Sequence, residues 1–183
     1  MIGCALVREC PQGQAAGRIV EVEAYVQDDP ASHAFRGKTP RNAVMFWAPF
    51  HAYVYRIYGA SFCLNVTSES GGVGTAVLIR ALEPLAGLEL MQDRRGVSLP
   101  KNLCRGPGRL CQALGIDLSF NGVDLVGGET LWLAPLRKPR RSVGVSPRIG
   151  ISQAADVPLR FYESGSPFLS GPRRLSPDVS LRA

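Results

Sequence analysis

Residues 17–25 read GRIVEVEAY, and their strict alternation constrains the fold more than any other stretch. A period of two marks a β-strand, because side chains two apart share a face. Val20, Val22 and Ala24 then share one face, and Glu21, Glu23 and Tyr25 the other. Two carboxylates and an aromatic ring on one face form either a solvated edge or the wall of a site. The same period returns in HAYVYRIYG (51–59), where Tyr53, Tyr55 and Ile57 share a face. It resumes in SFCLNVTSE (61–69) after the break at Gly59, so the two stretches predict an antiparallel hairpin with Tyr58 near its tip. TAVLIRAL (75–82) is a nearly continuous apolar strand with one charge, Arg80, inside it.

The remaining elements follow from punctuation. Residues 1–8 are the end of a helix or a first strand, and PQGQ (11–14) is a turn. Residues 27–42 have no period and carry His33, Arg36, Lys38 and Arg41; a long irregular loop of this kind is more often functional than idle. Pro84 is expected to open a helix running to about Arg95, with Leu88 and Met91 buried and Gly96 as the stop. GPGRLCQALG (106–115) is a turn feeding a short helix, whose first N–H groups, with Arg109, are candidates for a backbone phosphate. Residues 142–152 are a Gly-interrupted strand, and 158–168 end the folded part. The Ser/Pro/Arg-rich tail from Gly171 is expected to be disordered. No repeat or linker divides the chain, so residues 1–170 are expected to form a single domain.

At 183 residues the chain is long enough for one real core. Its net charge of +6 favours a polyanionic partner or an anionic membrane surface. No apolar run is long enough to cross a bilayer, and the start lacks a secretory pattern, so no membrane partner is expected. The five cysteines are scattered without CxxC spacing, and neither His33 nor His51 is spaced with a cysteine for zinc. Reduced thiols in a cytoplasm are the expectation.

Two chemical demands remain. Arg80 inside an apolar strand needs an anionic partner, and Glu21 and Glu23 are the comparable acids on strand interiors. Such a pair is either structural or a positioned general base. Tyrosines on strands are either good sheet packing or stacking platforms for nucleobases.

Together these stretches resemble the alkyladenine (3-methyladenine) DNA glycosylase family, of the bacterial type. The similarity rests on GRIVEVEAY, SHAFRGKTPRNAVMF (32–46), HAYVYRIYGASFCLNV (51–66), LIRALEPLAGLELM (78–91), GPGRLCQALGI (106–116), PRIGI and PLRFYESGSPF, in the family's order. The resemblance implies an α+β fold: one mixed domain with a curved antiparallel sheet, surrounding helices and a hairpin that enters the DNA minor groove. It implies a monofunctional DNA glycosylase of base excision repair that flips alkylated or deaminated purines out of double-stranded DNA. A monomer without metal or cofactor is implied as well. Glu23 matches the catalytic acid-base residue, and Arg80 and the Ile149 carbonyl match groups that hold the attacking water. Tyr25, His33 and Tyr55 match the walls around the flipped base, and Asn65 the residue that crowds a guanine amino group. Tyr58 matches the wedge that fills the gap in the stack, while Arg36, Lys38 and Arg41 are candidates for phosphate contacts. Glu21 keeps a supporting role.

Two departures stand out. The family's leucine-rich helix precedes the segment that begins this chain, and Phe35 interrupts a stretch that is more polar or Tyr-containing in relatives. The rival reading is a non-catalytic DNA-binding module on the same scaffold. Convergence of Glu23 and Arg80 at one cavity walled by Tyr25, His33 and Tyr55 separates the two readings.

Overall fold

A computed structural model describes residues 1–57, 59–136 and 142–179. The described residues form a mixed α/β domain around one curled antiparallel sheet. Its strands are β1 (Ala5–Cys10), β2 (Gly13–Tyr25), β3 (Ala52–Ile57), β4 (Ser61–Thr67), β5 (Ala76–Ala86), β6 (Leu131–Ala134), β7 (Val143–Ser146) and β8 (Arg160–Glu163). Two α-helices, α1 (Leu88–Arg95) and α2 (Pro107–Leu114), accompany them.

The long strand β2 is the axis. From Ala16 to Tyr25 it pairs with β5, except at Val20. Its other edge is shared: β1 pairs with the first half, and β8 takes over at Glu21–Glu23. Beyond β5 the sheet continues through β4 to β3, and the β3–β4 hairpin has the expected register, Tyr53 opposite Asn65 and Tyr55 opposite Cys63.

One face of the sheet carries the main core. Ile19, Val22, Leu64, Ile79 and Leu82 pack there with Met91 of α1 and Leu110, Cys111 and Leu114 of α2. Pro107 starts α2, and Gly115 at φ 65° ends it, as the turn signals require. A second cluster of Ala34, Val44, Met45, Phe46, Tyr53 and Ala76 fastens the loop after β2 to the sheet.

Two expectations change. The alternation of β2 is broken, because register shifts between Ile19 and Val22 leave Val20 and Arg80 skipped in the β2–β5 pairing. Val20 therefore packs with Ala81, Tyr162 and Leu169, apart from Val22 in the main core. A bulge of this kind re-aims side chains locally. Next, Pro84 does not open a helix. It lies in the last part of β5 beside Gly17, and Gly87 at φ 70° makes the turn into α1. Proline is tolerated there because the ladder is already irregular. Of the tail expected to be disordered, residues 180–183 lie outside the described residues, and part of 171–179 makes polar contacts with β8 and the residue after it. Arg160 donates to the Leu175 carbonyl at 2.8 Å and Ser176 Oγ at 2.7 Å, Tyr162 to the Pro177 carbonyl at 3.0 Å, and the Val179 N–H to Ser164 Oγ at 2.7 Å.

Gly74 marks where the loop after β2 meets the sheet edge. A Cβ there would lie 2.5 Å from Ala34 Cβ and 2.6 Å from Phe46 Cζ. Gly74→Ala is expected to destabilise the protein by about 1–3 kcal/mol through overpacking. Urea denaturation checks this, and an unchanged midpoint contradicts it.

Candidate active site

Glu21 and Glu23 are both 0% exposed, which removes the solvated-edge reading of their face. Every one of their four carboxylate oxygens meets a donor. Glu23 Oε1 accepts the Ile149 N–H at 2.7 Å, while Oε2 accepts from Arg80 Nη1 and the Tyr25 hydroxyl, each at 3.0 Å. Arg80 Nη1 also donates to the Ile149 carbonyl at 3.2 Å. The predicted trio of Glu23, Arg80 and Ile149 is thus one hydrogen-bonded unit.

Glu21 sits behind it. Its Oε1 accepts from Arg80 Nε at 3.2 Å, Arg160 Nε at 2.7 Å and Ser170 Oγ at 2.8 Å, and Oε2 accepts the Ser170 N–H. Arg80 therefore bridges both carboxylates, and Glu21 pairs with two strand arginines, Arg80 and Arg160. Buried charges persist only when paired and hydrogen-bonded, and this network meets that condition.

Beside this unit lies a cavity of about 130 Å³ lined by Tyr25, His33, Tyr53, Tyr55 and Asn65, with Met45 and Ile151 among the remaining walls. Its walls follow from the strand period: Tyr53 and Tyr55 project from one face of β3, and Asn65 lies opposite Tyr53 on β4. His33 Nδ1 is 2.9 Å from the Tyr53 hydroxyl, and its ring meets Tyr55 edge-on at 4.6 Å between centroids. The loop is fixed behind it by Asn42 Nδ2, which donates to the His33 carbonyl at 2.8 Å. Asn65 Nδ2 donates to the Tyr53 carbonyl at 3.1 Å, which orients its amide. Glu23 and Arg80 converge on each other and do not themselves line this cavity; the Tyr25 hydroxyl, bonded to Glu23, joins the two.

Electrostatics keep the aromatic walls uncharged. Burial pushes the Tyr25 hydroxyl well above its usual range, and the Glu23 charge adds to it. Burial likewise raises Tyr55, and raises Tyr53 to about 12. His33 is lowered by loss of solvent and by the nearby Arg41 charge.

The remaining predicted residues divide. Arg36, Lys38 and Arg41 are exposed on the same loop as His33, without a carboxylate partner among the described residues. Tyr58 lies outside the described residues, so the wedge assigned to it stays an expectation.

The sequence pattern of the family described as Methylpurine-DNA glycosylase (MPG) matches residues 1–167. The chain belongs to that family. Relatives named "Putative 3-methyladenine DNA glycosylase" include one from Mesorhizobium japonicum, 54% identical over 175 residues that cover 96% of this chain and 84% of the relative. One from Paraburkholderia phytofirmans is 51% identical over 96% of this chain and 82% of its own length. One from Rubrobacter xylanophilus is 48% identical over 96% and 92%. Membership of the methylpurine-DNA glycosylases carries hydrolysis of an N-glycosyl bond in DNA, and it bears out the family read from the sequence.

Within this glycosylase, sequence reasoning missed Tyr53 as a cavity wall, although it shares a strand face with Tyr55. It also missed the buried pair Arg148–Asp29, which braces Tyr25 from outside the cavity. The only available signal was Arg148 beside Ile149.

The lowered His33 value sets a pH test. The imidazole stays neutral until the pH falls below the ordinary histidine value of about 6.5, so a cationic wall appears only in acid. An NMR titration of the His33 ring protons is expected to give a midpoint below that value in the wild type and a higher one in Arg41→Gln. A wild-type midpoint above it contradicts the assignment.

Proposed function

We propose that the protein is a monofunctional base-excision-repair glycosylase. It flips alkylated or deaminated purines, of the 3-methyladenine or hypoxanthine type, from double-stranded DNA into the aromatic cavity. One observation carries the reading: the fully buried Glu23 carboxylate is shared by Arg80, the Ile149 amide and Tyr25, and Tyr25 is also a wall of that cavity.

Flipping costs a few kcal/mol, least at a damaged or mismatched pair. Stacking on Tyr25, His33 and Tyr55, at about 1–3 kcal/mol per base, offsets that. Asn65 is the proposed residue that crowds an exocyclic amino group of guanine, its amide held by the Tyr53 carbonyl. Tyr58 is the proposed wedge that holds the gap open in the minor groove. Arg36, Lys38 and Arg41 supply phosphate contacts, which makes binding weaken as salt rises.

Breaking the N-glycosidic bond builds positive, oxocarbenium-like charge on the sugar. The Glu23 carboxylate stabilises that charge and accepts a proton from water as it attacks the anomeric carbon. Arg80 and the Ile149 carbonyl position the water. The base leaves with the bonding electron pair; N-alkylated purines are already cationic and depart readily. Glu21 holds Arg80 from behind. The enzyme acts as a monomer on cytoplasmic DNA. Among the described residues no helix is long and apolar enough to cross a membrane.

No lysine lines the cavity among the described residues, so Schiff-base chemistry and strand cutting are not expected. A panel of duplexes carrying 3-methyladenine, 7-methylguanine, hypoxanthine or ethenoadenine tests the reading. The expected products are free base and a strand that breaks only on alkali treatment. Salt-sensitive duplex binding without release of any base would support the non-catalytic module instead.

A further inference from the structure

Arg148 does not line the cavity, yet it touches three segments that build it. Its side chain is completely buried in a two-pronged pair with Asp29, Nη2 to Oδ1 at 3.0 Å and Nη1 to Oδ2. Nη1 also donates to the Ala24 carbonyl at 3.0 Å, next to Tyr25, and the guanidinium carbon stands 4.7 Å from the centre of the Tyr25 ring. Asp29 accepts the Ala31 N–H at 2.9 Å and so shapes the turn that delivers His33. The residue after Arg148 is Ile149, whose N–H meets Glu23.

We infer that Arg148, held by Asp29, is a positioning residue for the reaction: one guanidinium fixes the plane of the base-stacking Tyr25 ring and the reach of the Ile149 amide to Glu23. The inference rests on the glycosylase reading given above.

Stability alone does not explain this pair. A buried ion pair can often be replaced by apolar residues of similar volume without loss. Arg148 Nε is moreover buried without a hydrogen-bond partner, an arrangement that works against stability. What an arginine supplies and an apolar residue does not is a planar fork. It can grip a carboxylate edge-on while lying flat on a ring. Such a group matters where ångström placement matters, since a shift of about 1 Å at a reacting centre can lower a rate about 100-fold.

The test removes both charges together, in Asp29→Leu/Arg148→Met, so that no unpaired charge is left inside. The melting temperature is expected to stay close to that of the parent. Single-turnover base release at saturating enzyme is expected to fall about 30-fold or more. The enzyme concentration giving half-maximal rate should change less than about threefold, because the phosphate contacts lie elsewhere. Arg148→Lys keeps the charge opposite Asp29 without the flat stack and should restore only part of the rate.

A folded double variant with the parent's release rate overturns the inference, as does a lysine variant as fast as the parent. Should the double variant fail to fold, Arg148→Lys decides on the same terms. Absence of base release in the wild type would instead sink the glycosylase reading. Arg148 is then judged by a crystal structure of the double variant. Loss of the Tyr25–Glu23 hydrogen bond supports positioning, and an unmoved Tyr25 ring overturns it.

Discussion

The charge of Arg80, shared between two fully buried carboxylates, is the constraint on which this molecule turns. An unpaired charge in a sheet interior is costly enough to neutralise or unfold the site. Glu21, Glu23, Arg80 and Arg160 avoid that only together, with Ser170, the Tyr25 hydroxyl and the Ile149 amide supplying the remaining donors. These groups come from β2, β5, β8 and the segments around residues 149 and 170. Assembling the network therefore requires most of the topology: β5 along one edge of β2, β8 along the other, and the C-terminal segment laid behind. The register shift that leaves Arg80 out of the ladder lies at the heart of that assembly.

The same constraint gives the site its two sides. Behind Arg80 the polar network is closed by Glu21, Arg160 and Ser170. In front, Glu23 shares its Oε2 with the Tyr25 hydroxyl, and Tyr25 opens onto an aromatic cavity. Glu23 thus differs from Glu21 in having a cavity wall, Tyr25, among its partners. Membership in a DNA glycosylase family and an aromatic cavity beside a buried carboxylate are the two findings on which the proposed function rests.

Much of this was legible in the sequence. Period-two stretches placed β2, β3 and β4 and put Glu23 with Tyr25, and Tyr53 with Tyr55, on shared faces. The lone charge in VLIRAL announced that Arg80 needed an acid, and GRIVEVEAY contained the candidates. Three things were hidden for physical reasons. A bulge adds a residue without changing composition, so Val20 and Val22 looked like one face. Pro84 carries a helix-start signal that the β2–β5 ladder overrides, since tertiary pairing outweighs a local preference. Arg148 and Asp29 are organised by polar contacts between residues far apart in the chain, which leave no periodicity to read.

The central claim is that the Glu23 carboxylate performs the hydrolysis. Glu23→Gln changes almost nothing in shape and removes the charge and the basic oxygen. In a single-turnover assay on a duplex carrying hypoxanthine or 3-methyladenine, base release should fall by about 100-fold or more, with duplex binding kept. Release equal to that of the wild type, from a folded and DNA-binding variant, would contradict the account.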